Sequence, residues 1–499
     1  MFRTPSILAL AAGTFAALPA AADLTASEAW DTFQSVYASV GGLTWEDVSE
    51  SGGTVTVTGA AFNYADDDGS VVVNFGDLVF TETGSGEVTF TLPDTVPFSV
   101  EAEAEGETFG MGGAVTTESA SIVFSGVPGD IVQTYDVAAM NVSIDEIRDM
   151  PEDVPLNIVV SLNTFVGTTT FTDGDVQNSV FNFTAASLDY DIDVVDPSEG
   201  KIDADFTMRD IVMSGSGTVP ASGLAIAPEL LFSNPDYSFD IAFTSSGSAL
   251  NMEIEDSEGG GNVTMVSGPL DASFESAEGQ ISYDGSIRET ELAMLSPELP
   301  LPVNLSIAEY GYDIALPLVP TEDDRDFKLG LTLIGLELDD FLWNLFDPGT
   351  VLPREPADLA FLIEAQGRWL IDIMSPDLDA ADLDGELPVS PTSAKISNLL
   401  LTIAGAQLTG EGEFTFDNED LFTFDGLPAP TGAVDFKLTG GNGLVDKLVQ
   451  MGLLPQEQAM GARMVMGLFM VPGAGPDELT SRIEVQGDGQ ITANGQRLR

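Results

Sequence analysis

The sequence contains no histidine and no cysteine. Without histidine it lacks the side chain that most often serves as general base and metal ligand near neutral pH. Without cysteine it has no thiolate nucleophile, no thiolate metal site and no disulfide. Positive charge is scarce too: 16 Lys and Arg stand against 81 Asp and Glu, a formal net charge of −65. Nucleic acid is thereby excluded as a partner, because its binding rests on Lys and Arg neutralising phosphates. Anionic lipid surfaces are disfavoured for the same reason. Only 4 tryptophans occur, Trp30, Trp45, Trp343 and Trp369, few for the aromatic platforms of a sugar cleft. Carboxylate pairs of the kind a glycosidase uses are abundant, but among 81 acids a pair carries no signal.

Long apolar runs are also missing after the first 22 residues. Residues 1–22 read as a secretory signal peptide, with Arg3 as a short positive region and an apolar run from Ile7 to Leu18. Pro19-Ala20-Ala21-Ala22 supplies small residues for cleavage before Asp23. The apolar run is shorter than the roughly 20 residues a membrane span needs. The mature chain is expected to be exported, to the periplasm before the extracellular space, and to be soluble without a transmembrane segment.

The remaining motifs offer little chemistry. Asp66-Asp67-Asp68-Gly69 and Gly487-Asp488-Gly489 resemble calcium loops only in part and read as hairpin turns. Thr392-Ser393-Ala394-Lys395 places Ser two residues from Lys and leads into a strand, so it does not form a Ser-x-x-Lys nucleophile. Gly110-Met111-Gly112-Gly113 lies between strand-like runs, not in the strand-turn-helix setting of a phosphate loop. Met460, Met464, Met466 and Met470 could offer thioethers to Cu(I), but core filling is the expected role. No catalytic, cofactor-binding or metal-ligating residue is assigned, and the chain is read as not an enzyme.

What is abundant is alternation. Val55 and Val57 alternate with threonines, and Leu188, Tyr190, Ile192 and Val194 with aspartates. Ile202 to Met208, Tyr237 to Phe243, Phe414 to Phe416 and Val434 to Leu438 follow the same period of two. This is the pattern of antiparallel strands with one apolar and one wet face. Helices are expected at few places. Thr25-Ala26-Ser27-Glu28 is a capping box before Trp30, Phe33, Val36, Tyr37 and Val40 at helical spacing. Ser143-Ile144-Asp145-Glu146 reads as a second capping box, with Pro151 ending a short turn. Asp339 to Phe346 reads as a capped helix stopped by Asp347-Pro348. Gly443 to Met451 and Gln456 to Met470 read as a helix pair, the second apolar nearly all round from Met464 and therefore expected to be deeply buried. No strict internal repeat is visible. A proline cluster at Pro297, Pro300 and Pro302 suggests a boundary near 300, giving regions 23–300 and 301–499, and Asp372 to Ser393 reads as a loose joint.

Three blocks near the C-terminal end carry a family resemblance. They are Phe346-Asp347-Pro348 with Leu352 to Ala357, then Asn442 to Leu448 with Met451 to Pro455 and Gly461 to Met464, then Gly487 to Ile491 with Ala493-Asn494-Gly495. Together they resemble an uncharacterised exported "domain of unknown function" family of Gram-negative bacteria. Such families are similar in outline to periplasmic β-rich proteins associated with envelope lipid handling, which implies a place in the cell envelope.

The expected fold is mainly β: a large antiparallel, curled sheet or sandwich of many amphipathic strands, with an N-terminal helix and a C-terminal helix pair. An outer-membrane barrel is disfavoured, since strands of even length and aromatic girdles are missing. The expected function is a non-catalytic periplasmic binding or scaffold protein sheltering lipid or another apolar ligand in a β groove, with lipid or another envelope protein as partner. The competing expectation is a structural or adhesive envelope protein with a closed core.

Overall fold

The alternating segments pair antiparallel throughout, most of them with the strand that precedes or follows them in the chain. A computed structural model describes residues 24–38, 42–65, 69–104, 107–148, 155–174, 176–196, 200–220, 237–256, 259–296, 301–375 and 388–499. Residues 1–22, read as a signal peptide, and Val40, Asp66 to Asp68, Pro151, Pro297 and Pro300 fall outside these residues, as does much of the stretch from Asp372 to Ser393 read as a joint.

Helix α1 (Ala26–Ala38) opens the described chain. Strands β1 (Leu43–Thr44), β2 (Asp47–Ser51), β3 (Thr54–Ala65) and β4 (Gly69–Glu82) follow. Next come β5 (Val88–Thr91), β6 (Thr95–Ala104), β7 (Glu107–Glu118), β8 (Ser121–Val127) and β9 (Asp130–Ile147). The long strands β10 (Leu156–Thr172), β11 (Val176–Asp196) and β12 (Gly200–Pro220) lead to β13 (Ser238–Ser245), β14 (Gly247–Asp256), β15 (Gly259–Ser267), β16 (Leu270–Ala277) and β17 (Gln280–Leu295). Beyond them lie β18 (Val303–Pro317), β19 (Arg325–Leu338), α2 (Asp340–Phe346), β20 (Ala357–Trp369), β21 (Val389–Ile403), β22 (Ala406–Asp417) and β23 (Ala429–Thr439). The chain ends through α3 (Gly441–Gln450), α4 (Gln456–Phe469), β24 (Val471–Pro472), β25 (Glu478–Val485), β26 (Ile491–Ala493) and β27 (Gln496–Arg497).

The protein is thus mainly β, in one large antiparallel sheet with the N-terminal helix and the C-terminal helix pair expected from the sequence. Among the described residues no ladder joins β1 or β2 at one edge to β27 at the other. It crosses position 300 without a break, through the pairing of β17 with β18.

A repeat invisible in the sequence emerges in the topology. Strand β4 pairs with two half-length strands, β5 and β6; these pair with β8 and β7, which rejoin on β9. Strand β12 divides in the same way into β13 and β14, then β16 and β15, rejoining on β17. Corresponding strands start at Val88 and Ser238, and at Asp130 and Gln280, each 150 positions apart.

Many strands also carry one left-handed residue at a common level: Gly59, Gly76, Thr164, Asp210, Glu289, Gly335 and Asn398 all have φ between 50° and 72°. Each interrupts the alternation by one position, as a β-bulge does. The effect is plain in β3 and β4. Val55 and Val57 before Gly59, and Ala60 after it, lie in the same core, as do Phe75 before Gly76 and Leu78 and Phe80 after it. The seam therefore changes the phase of each strand without changing the face its apolar side chains occupy. A neighbouring carboxylate holds two of its glycines: Asp77 Oδ1 accepts from the Gly59 amide at 3.2 Å, and Asp358 Oδ1 from the Gly335 amide at 2.9 Å.

The capping box of α1 forms as expected. The Thr25 amide donates to Glu28 Oε2 at 2.9 Å, and the Glu28 amide to Thr25 Oγ1 at 3.3 Å. The second expected capping box does not form: Ser143 to Glu146 lie within β9. There Val142 and Ile144 pair with Val160 and Ile158 of β10, and long-range pairing of two apolar residues outweighs the local capping pattern.

Helix α1 lays Trp30 and Phe33 on the sheet. The Phe33 ring lies 5.1 Å from Phe90, and Phe80 and Phe90 stack at 4.6 Å. Val55, Leu78, Phe80, Val88 and Phe124 complete a buried cluster there. Full burial of each such side chain stabilises the fold by about 1.5–3 kcal/mol.

Candidate ligand-binding face

The register aligns apolar residues across the sheet. One row of directly opposed residues runs Val96–Val115–Val142–Val160–Tyr190–Phe206–Leu250–Met265–Leu292–Leu305–Leu338, one residue from each of eleven strands, each paired with the next. At about 4.8 Å per strand the row spans roughly 48 Å. A second row beside it passes through Phe98, Ile144, Ile158, Ile192, Met252, Val263 and Met294. The opposite face at the same level is polar: Asp191 faces Asp205, Asp205 faces Asn251 and Asn251 faces Thr264. Away from α1, most members of these rows are only half-buried, and Tyr190 is exposed.

The first row ends at a cavity. Leu338, where β19 stops, forms part of its wall together with Leu336, Trp343, Phe346, Leu352, Ala357, Ile403, Leu444 and Leu448. Its volume is about 310 Å³ and its lining is almost wholly apolar, with Glu337, Arg354 and Glu355 as the charged members. Two of the three distinctive sequence blocks, far apart in the chain, meet here: Phe346 to Ala357 from one, Leu444 and Leu448 from the other. The third forms the turns before and after β26, with Gly489 at φ 85° as Asp-Gly suits.

Three carboxylates fix the cavity walls. Asp339 caps α2, accepting from the Leu342 amide at 2.9 Å, and also accepts from Asn304 Nδ2 at 2.9 Å. The Leu342 amide bond is the main cause of its lowered pKa. Asp347 is buried, yet its pKa is also lowered: burial opposes the charge, but the Val351 and Leu352 amides at 3.0 and 2.8 Å and nearby Arg354 outweigh it. Asp477 supplies the cap that Gly440 cannot, accepting from the Gly443 amide and Asn442 Nδ2, both at 2.8 Å. Burial again opposes its charge, and these bonds lower its pKa on balance. All three act as clamps on backbone amides, with their oxygens already engaged.

Arg354 is held in turn. It pairs with Asp340, donates to Asn344 Oδ1 at 2.7 Å and lies 5.9 Å from the centre of the Trp343 ring. Its Nε is buried without a hydrogen-bond partner. The guanidinium charge is therefore spent within the wall, and the cavity presents apolar surface.

The methionine helix overturns the burial expected of it. In α4, Met460 is 65% and Met464 73% exposed, while Val465 and Leu468 are also exposed. Only Ala459 is buried. The helix leans on α3 and on β25, where Ser481 Oγ donates to the Phe469 carbonyl at 2.7 Å, and nothing among the described residues covers its outer side. An apolar circumference is ordinarily a mark of burial, but here the tertiary structure supplies a neighbour on one side only. Core filling is accordingly not the role of Met460 and Met464.

The other sequence candidates stay apart. Gly110 to Gly113 lie inside β7, and Thr392 to Lys395 inside β21. Among the described residues no group of three or more Asp or Glu side chains is placed to hold a metal ion. No described helix is long and apolar enough to cross a membrane. The cavity was not legible in advance, because its lining residues come from chain segments about 100 positions apart with no shared local pattern.

No protein family and no curated protein matches the chain by sequence. Among solved structures it has a faint likeness to the outer membrane transporter YddB from Escherichia coli, with 9% identity and a TM-score of 0.14 over 89% of this chain and 73% of that one, too low to support any argument about fold or function.

Proposed function

We propose that the protein is a non-catalytic binding protein of the periplasm that shelters the hydrocarbon chains of lipids on the apolar face of its sheet. One observation carries this reading: a row of eleven apolar residues crosses the sheet and ends in an apolar cavity, with most of its length only half-covered. Uncovered apolar surface on that scale is costly in water unless something occupies it. A bilayer's hydrocarbon core is about 30 Å thick, so one chain reaches about 15 Å. A row of roughly 48 Å accommodates several chains end to end. The chemistry required is exclusion of water, which Val, Leu, Phe and Met provide without acid, base or metal.

The test is native mass spectrometry of protein purified without detergent, against the same protein after delipidation. The expected result is extra mass that organic extraction releases as lipid. Equal masses, together with no uptake of added short-chain phosphatidylcholine, would overturn the reading.

A further inference from the structure

The chain's charge is unevenly distributed. Residues 440–476 contain only Asp446, Glu457, Lys447 and Arg463 as charged side chains, so this stretch is neutral in a protein of net charge −65. Asp446 and Arg463 pair with each other. On this neutral segment stand the exposed Met460, Met464, Val465 and Leu468 of α4, with Leu453 in the turn before it. Met460, Met464 and Leu468 follow at intervals of four and so form one stripe along the helix. The helix that carries the stripe packs on α3, which lines the cavity, and the turn joining the two is tied to the cavity wall, where the Leu453 amide donates at 3.0 Å to the carbonyl of Leu448.

We infer that the α4 stripe is a docking surface for a lipid bilayer, and that it holds the cavity mouth against the membrane from which chains are drawn. This rests on the lipid-sheltering reading. Charge favours a bilayer of zwitterionic lipid as the occupant. Anionic headgroups are repelled by the rest of the chain, and the helix pair is the part that can enter a headgroup layer without desolvating a row of carboxylates. A basic protein partner would be drawn to the acidic surface elsewhere. A second copy is disfavoured by area. A helix of 14 residues is about 21 Å long and about 10 Å wide. Two such stripes would bury a few hundred Å², well below the roughly 1,200 Å² of a stable interface. They would also bring two strongly acidic chains together.

The contact is an interfacial one, with apolar side chains entering the boundary between headgroups and acyl chains. The experiment is flotation of the full protein with phosphatidylcholine vesicles, and with vesicles in which phosphatidylglycerol replaces half of that lipid. The wild type is expected to float with the first and less with the second at low salt. The double variant Met460→Glu/Met464→Glu is expected to partition about 100-fold less, from the loss of two buried apolar side chains. Both positions face solvent, so the variant should keep the wild-type melting temperature. Uptake of short-chain phosphatidylcholine from solution, below its micelle concentration, should be the same in both proteins. Equal flotation of variant and wild type would overturn the docking surface. So would uptake of soluble lipid by a wild type that does not float. A wild-type dimer that the substitutions dissociate, without vesicle binding, would assign the stripe to a second copy instead. Flotation lost in the variant, with no soluble uptake by either protein, would support docking and refute sheltering.

Discussion

The two ends of one sheet treat the same kind of residue differently. At the N-terminal end Phe80 and Phe90, directly opposed in β4 and β5, are buried beneath α1. Toward the other end Leu329 and Ile363, directly opposed in β19 and β20, are 50% and 38% exposed. Both pairs belong to apolar rows of an alternating sheet. The difference is a covering helix. Trp30 and Phe33 complete the first region as an ordinary core, whereas α2, α3 and α4 stand at the end of the second and leave its face open. A strand pattern thus specifies which side chains share a face and does not specify what covers that face.

The contrast predicts unequal responses to equal substitutions. Phe80→Ala should cost about 3–5 kcal/mol in urea unfolding, because a fully buried ring leaves a cavity. Leu329→Ala, at a half-exposed site, should cost about 1 kcal/mol or less. Similar losses at both positions would mean that the second region is covered in solution.

Phe206→Glu should act on binding more than on folding. Phe206 lies mid-row between Tyr190 and Leu250, and a carboxylate there puts charge where hydrocarbon is expected to lie. Lipid co-purifying with the variant should fall several-fold, as read by mass spectrometry of extracts. An unchanged lipid content would move the ligand off this row.

Acid should separate the two ends as well. Asp339, Asp347 and Asp477 have lowered pKa values and all clamp the C-terminal helices or the loop between them. Their contribution is complete above the ordinary carboxylate value of about 3.9 and is lost as pH falls through the lower folded values. Relief of the overall negative charge acts on both ends alike. Tryptophan emission from single-tryptophan variants should therefore change at Trp343 below about pH 4, while Trp30 holds until lower pH. Simultaneous changes would show that the two ends melt as one unit. The smallest effect belongs to Met464→Glu alone, whose stability should stay within about 0.5 kcal/mol of wild type because the site faces solvent.

Particular residues show how far local pattern reaches. The Thr25–Glu28 box, the Asp339 cap and the strand alternation at Val55, Tyr190 and Phe206 are local signals, and the folded chain follows them. Ser143 to Glu146 carries an equally good local signal and becomes strand, because Val142 and Ile144 have partners across β9 and β10. The left-handed seam was hidden for a related reason. Thr164, Asp210, Glu289 and Asn398 are not glycines, and only their alignment on neighbouring strands makes them a common feature. The duplicated splitting of β4 and β12 was equally hidden, because it is preserved in pairing order without a fixed spelling of residues. At the candidate site, the blocks around Leu352 and Leu444 were distinctive as sequence, but nothing local to either indicated that they share a cavity.

The sequence by itself determined the chemistry at hand and the class of fold. Lacking histidine and cysteine and rich in carboxylates and alternating apolar residues, it dictated an antiparallel sheet with one wet and one apolar face, because side chains in a strand alternate sides by geometry. Only the tertiary structure decided that α1 covers one end of the sheet, that distant segments enclose a cavity toward the other, and that α4 turns methionines to solvent. Those outcomes depend on which surfaces meet, and burial is a property of the meeting, not of the residues that carry it.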